Sequence, residues 1–487
     1  MEPAGGSTSQ QPRPALDYPI RLADPDAAGL LASASGLGPT AAQVLIHRGV
    51  HDVDEAKDYL DATLRRLSSP DMMADRDVAA ERLAHAIRME QSVVVFGDYD
   101  VDGTTSALIL TEIVRALGGR VTTRIADRFL GGYGLSDAAL DRCLADEPAL
   151  IVTCDCGSSD HARIDRANAE GVDVIVVDHH LVPDEPLPAL AFLNPHRPDC
   201  GFPYKGLCSA GLAFSLGAAL RTRFEASLDL RQWLDLVAVG TIADLAPLTG
   251  DNRRLVRAGL KRLGSPTTRP GLRALRQVTK LPDSDRITAR DVAFRIAPRL
   301  NAPGRLGDAD LTLRLLEAGS VADALGLVEE VEQKNDERKA LGTRATDEAK
   351  AQVEERYGSS PTGGVVVESH DWHRGVVGIV AARLVDAFAV PAVVIAFDGD
   401  VGHGSARTVE GFDVYSAIER GAAALEGWGG HRAAAGLTVR RSKLEAFRQS
   451  FTEASAEIDG SARARTPVDV ELGGAFRVPT LEDLQRL

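Results

Sequence analysis

Apolar runs and helical periodicity alternate along the middle of the chain. The segments "SVVVF", "RVTTRIA", "PALIVTC" and "VDVIVVD" are short and rich in β-branched residues, so they predict strands. Between them, "TTSALILTEIVRALG" and "SDHARIDRANAEG" have the pattern of helices. Strands that are apolar throughout are typical of a parallel sheet buried on both faces. We therefore expect an α/β fold built on a doubly wound parallel sheet.

The rest of the chain divides into segments of different pattern. Helical periodicity precedes the first strand, and a second strand–helix alternation begins at "GGVVVESH". Between the two lies a proline-free stretch of alternating charge, which predicts one long, solvated helix joining two domains. The expected organisation is a disordered tail at 1–18, a helical segment at 19–90, the first α/β domain at 91–320, the long helix at 321–358, a smaller α/β domain at 359–458, and the start of a strand-rich unit, expected to be incomplete, at 459–487.

Length and cysteine usage narrow the class of protein. A chain of 487 residues exceeds the usual size of one hydrophobic core. We find no apolar run of membrane-spanning length, and the first residues lack the order of a secretory signal, so we expect a cytoplasmic protein without a membrane partner. The five cysteines form no C-x-x-C pair, which predicts buried free thiols; zinc ligation by Cys200 and Cys208 is the less favoured alternative.

The charge of the chain limits how it could meet nucleic acid. A formal net charge of −15 disfavours a protein that covers nucleic acid with a broad basic surface. A local basic groove stays compatible with this number. Acidic residues that bind cations would also contribute to it.

Acidic and imidazole side chains follow three of the predicted strands. They are Asp98, Asp100 and Asp102 after the first strand, Asp155 after the third, and Asp178, His179 and His180 after the fourth, while Asp244 lies in the helical stretch "VAVGTIADLAPL". Because ligands bind beyond the carboxyl ends of parallel strands, we expect these loops to converge. Converging carboxylates need a cation or a proton, and oxygen ligands with imidazole suit Mn²⁺ or Mg²⁺ better than structural zinc. The ligands suffice for two ions about 3.5–4 Å apart that share a carboxylate, as in phosphoryl displacement.

Each motif also has an ordinary structural interpretation. Asp102 before "GTT" could be only a helix N-cap, and "DHH" alone could be a surface turn. "DYDVDG" resembles the start of a calcium loop, but its twelfth position is Ile109, where such a loop needs a glutamate. The occurrence of four such motifs in one chain favours a metal site.

These motifs resemble those of the DHH phosphoesterase superfamily, and most closely those of the bacterial RecJ single-strand-specific exonucleases. "GDYDVDGTT", "CDCG", "DHH" and "GTIADLAPL" are similar to its four motifs. "FRIAPRLNAPGRLGDAD" and the helix around "QKNDERKAL" extend the likeness, and "HDWHRGVVGIVAARL", "GHGSARTVEGFDV" and "GGHRAAAG" resemble the DHH-associated domain. The resemblance covers about residues 19–458, and the segment after it would begin an OB-type barrel.

The resemblance implies an enzyme that degrades single-stranded DNA from its 5′ end to mononucleotides, in DNA repair and recombination. It implies two divalent cations, Mn²⁺ preferred or Mg²⁺, whose expected ligands are Asp100, Asp102, Asp155, His179 and Asp244, with Asp98 as a further candidate. Asp155, or a neighbouring carboxylate, would bridge the ions, and Asp155 would count as catalytic. His180 would face the scissile phosphate as a proton donor or charge stabiliser; the alternative is a histidine that only orients the site.

The same resemblance implies substrate contacts in both α/β domains. The expected residues are Arg128 and Arg305 at the DNA backbone, Ser405 and Arg407 of "GHGSAR" in a pocket for the 5′ phosphate, Gly404 where the backbone would approach closely, and His431 of "GGHRAAAG" in the same groove. The alternatives are solvated or ion-paired surface arginines and, for "GHGSAR", a tight turn. His370 and His373 could form a metal pair, although the resemblance favours a structural helix cap.

The expected partners are single-stranded DNA with a 5′ end and repair proteins such as a single-strand-binding protein or a helicase, and we expect a monomer. Two other functions stay open. One is a DHH phosphodiesterase for short oligonucleotides or cyclic dinucleotides, although such chains are typically shorter and lack the "LNAPGRLGDAD" region. The other is a catalytically silent replication scaffold of the same fold, which would be expected to lose ligands, whereas every ligand position here is filled.

Overall fold

The computed structural model describes residues 21–132, 134–282, 284, 286–456 and 478–486. The chain forms two compact units, one from Met1–Asp61 with Ala462–Leu487 and the other from Ala62–Ser461. The tail expected at 1–18 and residues 459–477 of the expected strand-rich unit lie outside the described residues.

The smaller unit is helical. Its helices are α1 (Pro25–Ser35), α2 (Pro39–His47), α3 (Val53–Leu60) and a short helix at Leu481–Arg486. Proline at the first turn starts α1 and α2, and the backbone N–H of Gly38 donates to Asp483 Oδ1 at 3.1 Å. In the described part of the chain, no single helix is long and apolar enough to cross a membrane; α1 and α2 meet that criterion only as a pair, with a bend of 110° between them.

The first α/β part of the larger unit contains a parallel sheet. Its strands are β1 (Ser92–Gly97), β2 (Arg120–Ile125), β3 (Leu150–Cys154), β4 (Asp173–Val177) and β5 (Ala191–Leu193). They lie in the order β2-β1-β3-β4-β5, and each neighbouring pair is parallel. The helices beside it are α4 (Arg76–Arg88), α5 (Val101–Ala116), α6 (Asp137–Leu144) and α7 (His161–Ala169). The expected doubly wound parallel sheet is confirmed.

Both faces of this sheet are buried, as the apolar runs require. Val93 and Val95 of β1 belong to the apolar core on one face, and Val94 and Phe96 belong to the core on the other. The strand order reverses between β1 and β3, because the chain leaves β1 toward β2 on one side and returns to β3 on the other. Ligands bind at such a reversal in open parallel sheets.

A helical region follows the sheet. Its elements are α8 (Ser209–Arg223), α9 (Leu234–Ala243), α10 (Gly250–Gly264), α11 (Pro270–Val278), α12 (Ala289–Asp291), a π-helical turn at Val292–Ile296, α13 (Ala297–Arg305), α14 (Ala309–Glu317) and α15 (Val321–Tyr357). Short 3₁₀ turns are distributed along the whole larger unit and occur at Leu64–Arg66, Pro70–Met72, Leu230–Trp233, Ala422–Ala424 and Arg441–Lys443.

The long helix α15 confirms the length predicted from its pattern but not its solvation. Ser320 caps its N-terminus through the backbone N–H of Asp323, and Gly358 follows its last residue with φ 81°. A stripe of small and apolar residues is buried along it: Val328 and Val331 pack into the core of the first α/β part, and Ala349 and Val353 pack into that of the second. The helix is therefore shared by both cores, because apolar residues recur on one of its faces.

The second α/β part contains a mixed sheet. Its strands are β6 (Val365–Ser369), β7 (Ala392–Asp398), β8 (Val401–Arg407), β9 (Leu425–His431) and β10 (Ala434–Arg440), and its helices are α16 (Val377–Phe388), α17 (Val414–Arg420) and α18 (Leu444–Ala454). The order is β6-β7-β8-β10-β9, with β6 and β7 parallel and the remaining pairs antiparallel. The "GHGSAR" motif lies in strand β8, so its interpretation as a tight turn is wrong.

Candidate functional site

Backbone hydrogen bonds beyond the strand ends hold three aspartates at one edge of the first sheet. The backbone N–H of Asp98, after β1, donates to Cys154 O at 3.1 Å. Asp155, after β3, donates to Val177 O at 2.9 Å, and Asp178, after β4, donates to Leu193 O at 3.0 Å. The parallel ladder thus extends by one residue in each strand. The three carboxylates are delivered side by side at the point where the strand order reverses.

The first motif places its aspartates on the turn into helix α5. Asp100 is the N-cap, because its Oδ1 accepts a hydrogen bond from the backbone N–H of Gly103 at 3.0 Å. The interpretation of Asp102 as only a helix N-cap is therefore wrong. Asp102 lies in the first turn of α5 and accepts from the backbone N–H groups of Ser209 and Ala210 at 2.8 and 3.0 Å, at the start of α8.

A glycine on α9 leaves room for Asp102. A Cβ added to Gly240 would lie 2.8 Å from Asp102 Oδ1. The side chain of Asp102 is therefore fixed by a helix N-terminus on one side and by close packing on another.

His179 brings the remaining motifs together. Its Nε2 atom lies 3.2 Å from Asp155 Oδ1, 3.6 Å from Asp244 Oδ2 and 4.0 Å from Asp102 Oδ2. This Nε2 is buried, and within the described residues it has no hydrogen-bond partner. Asp98 Oδ1 is likewise buried without a partner in that part of the chain. We call the set formed by Asp98, Asp100, Asp102, Asp155, Asp244 and His179 the carboxylate cluster.

Asp155 occupies the centre of the carboxylate cluster with an unusual backbone. Its φ is 64°, in the left-handed region that most side chains avoid and that Asp and Asn tolerate best. Its Oδ1 accepts from Ser209 Oγ at 3.1 Å. A strained backbone of this kind persists only where its surroundings hold it, and such residues are concentrated at functional sites.

Burial and mutual repulsion disfavour the ionised carboxylates. Burial, and next the charge of a neighbouring carboxylate, raises the pKa of Asp102 to about 6 and the pKa of Asp244 to about 8. The same causes raise the pKa values of Asp98 and Asp155 well above their ordinary value. Burial, with the charge of His180 second, lowers the pKa of His179 to about 4, so its imidazole is neutral at pH 7. A neutral imidazole is the form that binds metal ions.

The carboxylate cluster fits divalent cations. Among the described residues, the metal-ligand atoms of three groups lie within 4.8 Å of one another. The groups are Asp98 with Asp100 and Asp155, Asp102 with His179 and Asp244, and Asp155 with His179 and the neighbouring His180. Carboxylate oxygens with one imidazole are the donors that Mn²⁺ and Mg²⁺ prefer. Cations would neutralise the repelling charges and would give partners to the buried atoms of Asp98 and His179 that have none.

Asp178 organises the "DHH" motif without joining the carboxylate cluster. Its Oδ1 accepts from the backbone N–H groups of His179 and His180 at 2.8 and 3.2 Å and from His180 Nδ1 at 2.7 Å. Its Oδ2 accepts from Ser158 N and Oγ at 3.1 and 2.6 Å. Burial raises the pKa of Asp178, but these donors, led by His180, outweigh burial and hold its pKa below the ordinary value. Asp178 is therefore buried with both of its oxygens bonded, which does not fit the interpretation of the motif as a surface turn.

His180 is protonated at pH 7, whereas His179 is neutral. Burial lowers the pKa of His180, but the hydrogen bond to Asp178 and the charge of that carboxylate raise it to about 9. Because the ionised Asp178 can only accept, Nδ1 of His180 is its donor, and Nε2 carries the second proton of the imidazolium. The two neighbouring imidazoles are thus suited to different tasks.

Three arginines without a carboxylate partner in the described residues lie near one another, and one of them, Arg128, acts on the carboxylate cluster. The charge of Arg128 opposes the rise in the pKa of Asp98, and its guanidinium lies 4.1 Å from the ring centre of Tyr99. Burial, then the charges of Arg128 and Arg338, lowers the pKa of Arg305 to about 10. Burial, then Arg128, also lowers the pKa of Arg407.

Contacts within the protein leave the positive charge of these guanidinium groups uncompensated. In the described part of the chain, Arg128 Nε has no hydrogen-bond partner, Arg305 donates only weakly to Gly375 O at 3.4 Å, and no Asp or Glu oxygen lies within 4.0 Å of any of the three. Within the described residues none of the three is ion-paired, so the interpretation as ion-paired surface arginines is not supported. We call Arg128, Arg305 and Arg407 the arginine cluster, and its uncompensated charge suits a phosphate.

Strand β8 presents two residues of the "GHGSAR" motif beside the start of helix α16. Arg407 Nη1 donates to Ser405 Oγ at 3.0 Å. A Cβ added to Gly378 would lie 3.1 Å from Ser405 Oγ and 3.2 Å from Arg407 Nη2, so the first turn of α16 adjoins both side chains. A helix N-terminus with a hydroxyl and a guanidinium is a favourable setting for an anion.

The remaining residues expected at the substrate have different environments. His431, at the end of β9, has its pKa lowered by burial and then by the charges of Arg407 and His180. A Cβ added to Gly404 would lie 2.8 Å from Leu437 and 3.0 Å from Ile395, so the requirement for glycine arises from core packing. The expectation that Gly404 opens the backbone to substrate is not supported. His373 Nδ1 accepts from the backbone N–H of Gly375, but this residue lies before α16, whose N-cap, Val376, has no side-chain cap hydrogen bond, so the helix-cap interpretation is wrong.

Two polar residues of helix α15, Asn335 and Arg338, are not among the site residues expected from the sequence. Asn335 is buried, and its Nδ2 has no hydrogen-bond partner within the described residues. Its Oδ1 accepts from Arg338 at 3.0 Å, and the charge of Arg338 acts on Arg305. The signal in the sequence was an asparagine within a helix interior, where asparagine is unfavourable. The alternating charges of this segment predict a solvated helix, in which a buried asparagine is not expected.

Two family models match the chain. The model of the DHH family, N-terminal domain, matches residues 92–241, and the model of the DHHA1 domain matches residues 362–457. The first match contains Asp98, Asp155 and His179, and the second contains Ser405 and Arg407.

The chain is similar in sequence to curated exonucleases. One is the single-stranded-DNA-specific exonuclease RecJ of Escherichia coli (strain K12), 36% identical over 440 residues, which cover 86% of this chain and 75% of the relative. Another is the single-stranded-DNA-specific exonuclease RecJ of Bacillus subtilis (strain 168), 35% identical over 446 residues, which cover 90% of this chain and 55% of the relative.

Solved structures show the same likeness. RecJ from Thermus thermophilus in complex with Mn²⁺ matches with a TM-score of 0.78 and 32% identity, over 93% of this chain and 64% of that one. An exonuclease RecJ bound to manganese matches with a TM-score of 0.68 and 33% identity, over 81% of this chain and 96% of that one. This chain spans less than two thirds of the Thermus protein.

Proposed function

The chain belongs to the RecJ family of single-stranded-DNA-specific exonucleases, and we propose that it hydrolyses single-stranded DNA from the 5′ end and releases 5′-mononucleotides. The observation that carries this proposal is the convergence of the carboxylate cluster and the arginine cluster. Buried carboxylates around an unpartnered imidazole nitrogen need cations, and uncompensated guanidinium groups beside them need an anion. A phosphodiester between bound cations meets both requirements.

Asp100, Asp102, Asp155, His179 and Asp244 would hold two divalent cations, Mn²⁺ preferred or Mg²⁺, with Asp98 as a further candidate. When bound, these ions supply Lewis acidity to the phosphoryl group and a water of lowered pKa. The chain contributes the positions of the ligands. The start of helix α8 orients Asp102, and Ser209 Oγ orients Asp155, which would hold the cations together with the other ligands.

His180 would face the scissile phosphate as a charged donor. The hydrogen bond to Asp178 fixes its ring and keeps it protonated, and we assign its Nε2–H as the donor to the leaving 3′ oxygen. This role explains why two adjacent histidines carry different charge states. His179 serves a cation, and His180 serves the departing oxygen.

The arginine cluster with Ser405 would bind the phosphates on either side of the reacting nucleotide. Ser405, Arg407 and the first turn of α16 suit the terminal 5′ phosphate, while Arg128 lies nearer the carboxylate cluster. His431 would line the same groove, since the charges of Arg407 and His180 both act on its imidazole. A phosphate held beyond the carboxylate cluster would stop further threading and set the step at one nucleotide.

Further assignments are proposals from family membership. We propose that the carboxylate cluster lies in a DHH domain at 91–320 and the 5′-phosphate pocket in a DHH-associated domain at 359–458, connected by the helix at 321–358. We also propose a monomer that acts in DNA repair and recombination with a single-strand-binding protein or a helicase.

The test is a digestion of 5′-phosphorylated single-stranded DNA carrying a label at its 5′ or 3′ end. With Mn²⁺ the first product from the 5′-labelled strand is expected to be the labelled mononucleotide, with no cleavage in EDTA and little cleavage of a blunt duplex. Asp155→Ala is expected to abolish cleavage and to retain the fold, while Asp165→Ala, at an exposed position of α7, serves as the matched control. Internal fragments, activity in EDTA, or preference for a dinucleotide over the long strand would contradict the proposal.

A further inference from the structure

Two exposed leucines lie next to the carboxylate cluster. Leu181 directly follows His180 and is 71% exposed, and Leu245 directly follows Asp244 and is 84% exposed. His179 Nε2 lies 3.6 Å from Asp244 Oδ2, so the two leucines extend from neighbouring segments of the same site. Single exposed leucines are common on proteins, but two that flank one polar site are unusual enough to require a reason.

Leu245 also has a backbone that favours glycine. It closes helix α9 with φ 59°, and the backbone N–H of Ala246 reaches back to Thr241 O at 3.2 Å. Glycine is the usual residue at this position of a helix end. Among the described non-glycine residues with positive φ, the others are acidic residues, a lysine and an alanine, and Leu245 is the large apolar one.

Stability does not account for this choice. The side chain of Leu245 gains little from burial in the protein, and its backbone is strained where glycine would not be. A residue that weakens the fold locally and lies one position from a proposed metal ligand indicates a contact with substrate.

We propose, on the basis of the function proposed above, that Leu181 and Leu245 form an apolar clamp on the base and sugar of the nucleotide joined to the scissile phosphate. The occupant follows from position, because a phosphate bound at the carboxylate cluster places its own sugar and base within reach of the residues beside His180 and Asp244. Leucine offers no hydrogen-bond donor or acceptor in its side chain, so the clamp accepts any base.

The clamp also contributes to selection of single strands. In a duplex the faces of the bases are stacked on their neighbours, and only an unstacked base exposes an apolar face to protein. Leu181 and Leu245 therefore gain contact area only with an unpaired nucleotide. This selection is independent of base identity and of the phosphate contacts made by the arginine cluster.

The experiment compares a 5′-phosphorylated single strand that carries bases throughout with one whose first two residues are abasic. Leu181→Ser, Leu245→Ser and Leu245→Gly are each expected to raise KM for the base-bearing strand by about tenfold, the effect of losing one buried leucine contact, with a smaller change in kcat. For the abasic strand, their KM values are expected to match that of the wild type. Leu30→Ser, at a leucine that is 69% exposed in the smaller unit, is the matched control.

Leu245→Gly separates the clamp from folding. This variant relieves the left-handed strain, so its melting temperature is expected to equal or exceed that of the wild type while its KM rises. The proposal is overturned if the leucine variants keep the wild-type KM on the base-bearing strand, or if the wild type does not distinguish the two strands. A wild type that degrades neither strand would overturn the proposed function as well, which distinguishes the two failures.

Discussion

The Oδ1 atom of Asp178 accepts a hydrogen bond from Nδ1 of His180 at 2.7 Å, and this contact divides the "DHH" motif into two chemical roles. It keeps His180 protonated, since the pKa of that imidazole rises to about 9 although burial alone would lower it. His179, without such a partner, stays neutral and directs its Nε2 at Asp155 and Asp244. One buried carboxylate thus keeps His180 protonated, while burial and the charge of His180 keep His179 neutral.

Asp178→Asn is expected to reduce DNA hydrolysis by about 10–100-fold, the usual effect of losing a residue that orients a metal site. The protein groups around both oxygens of Asp178 in the described residues are donors, so the amide NH₂ of asparagine would face a donor in either orientation. The measurement is kcat/KM on single-stranded DNA, with circular dichroism to verify folding. Asp165→Asn is the control, and equal activity of the two variants would refute the role of Asp178.

Asp155→Asn is expected to stabilise the metal-free protein and to remove its response to Mn²⁺. The pKa of Asp155 is raised in the fold, so its ionised form costs stability at pH 7, and one pKa unit corresponds to about 1.4 kcal/mol. Asparagine also tolerates the left-handed backbone at this position.

The measurement for Asp155→Asn is thermal unfolding in EDTA and in Mn²⁺. For the wild type, a cation at a hundred times its Kd is expected to add about 2.7 kcal/mol to the free energy of unfolding. The variant should unfold at a higher temperature than the wild type in EDTA and gain little from Mn²⁺. A wild type indifferent to Mn²⁺ would argue against the carboxylate cluster as a cation site.

Arg407→Ala is expected to remove a preference for 5′-phosphorylated over 5′-hydroxyl DNA. A charged hydrogen bond to phosphate contributes about 1.5–3 kcal/mol, so kcat/KM for the phosphorylated strand should fall by roughly 10–100-fold. The value for the hydroxyl strand should change much less. Arg420→Ala, on the exposed side of α17, is the control. A uniform loss on both strands would show that Arg407 does not recognise the 5′ phosphate.

Glu368→Gln is expected to lower stability at neutral pH but not in acid. Burial raises the pKa of Glu368, but hydrogen bonds from Arg356 and Arg448 outweigh it and hold the pKa below the ordinary value. A carboxyl with a depressed pKa contributes stability above its unfolded pKa of about 4.3 and loses it as pH falls through the folded value. The variant should therefore be about 1–2 kcal/mol less stable than the wild type at pH 7.

Urea unfolding at pH 7 and at pH 3 measures this difference. The gap between wild type and Glu368→Gln should narrow at pH 3, where the wild-type carboxyl also becomes neutral. Glu355→Gln, at an exposed position of α15, is the control and should follow the wild type at both pH values. A gap that stays constant with pH would show that the ion pairs of Glu368 do not contribute.

The sequence was sufficient to locate the carboxylate cluster, because the end of an apolar strand is visible in it. Asp98 and Asp155 of the cluster, and Asp178 beside His179, each follow such a run, and parallel strands end at one edge. The strand order was not visible, so the adjacency of β1 and β3 needed the structure. Local pattern also could not show that Asp100, and not Asp102, caps α5, since the turn geometry decides this.

Residues whose roles depend on packing between distant segments were harder to predict. Gly404 was expected at the substrate, but its absent side chain faces Ile395 and Leu437, which only the pairing of β7, β8 and β10 reveals. The sequence pattern predicts that Asn335 is a solvated polar residue of a charged helix, and only the structure shows that it is buried. Exposure likewise identified Leu245, because an apolar residue in a sequence is ordinarily assigned to a core.

The most direct test of the account is an anomalous difference map from crystals grown with Mn²⁺ and measured at the manganese absorption edge. Two manganese peaks are expected inside the carboxylate cluster, in contact with Asp100, Asp102, Asp155, His179 and Asp244. Crystals of Asp155→Asn should lose at least one of them. No manganese at these residues, or manganese bound only elsewhere on the protein, would contradict the claim that this cluster is a metal centre for phosphodiester hydrolysis.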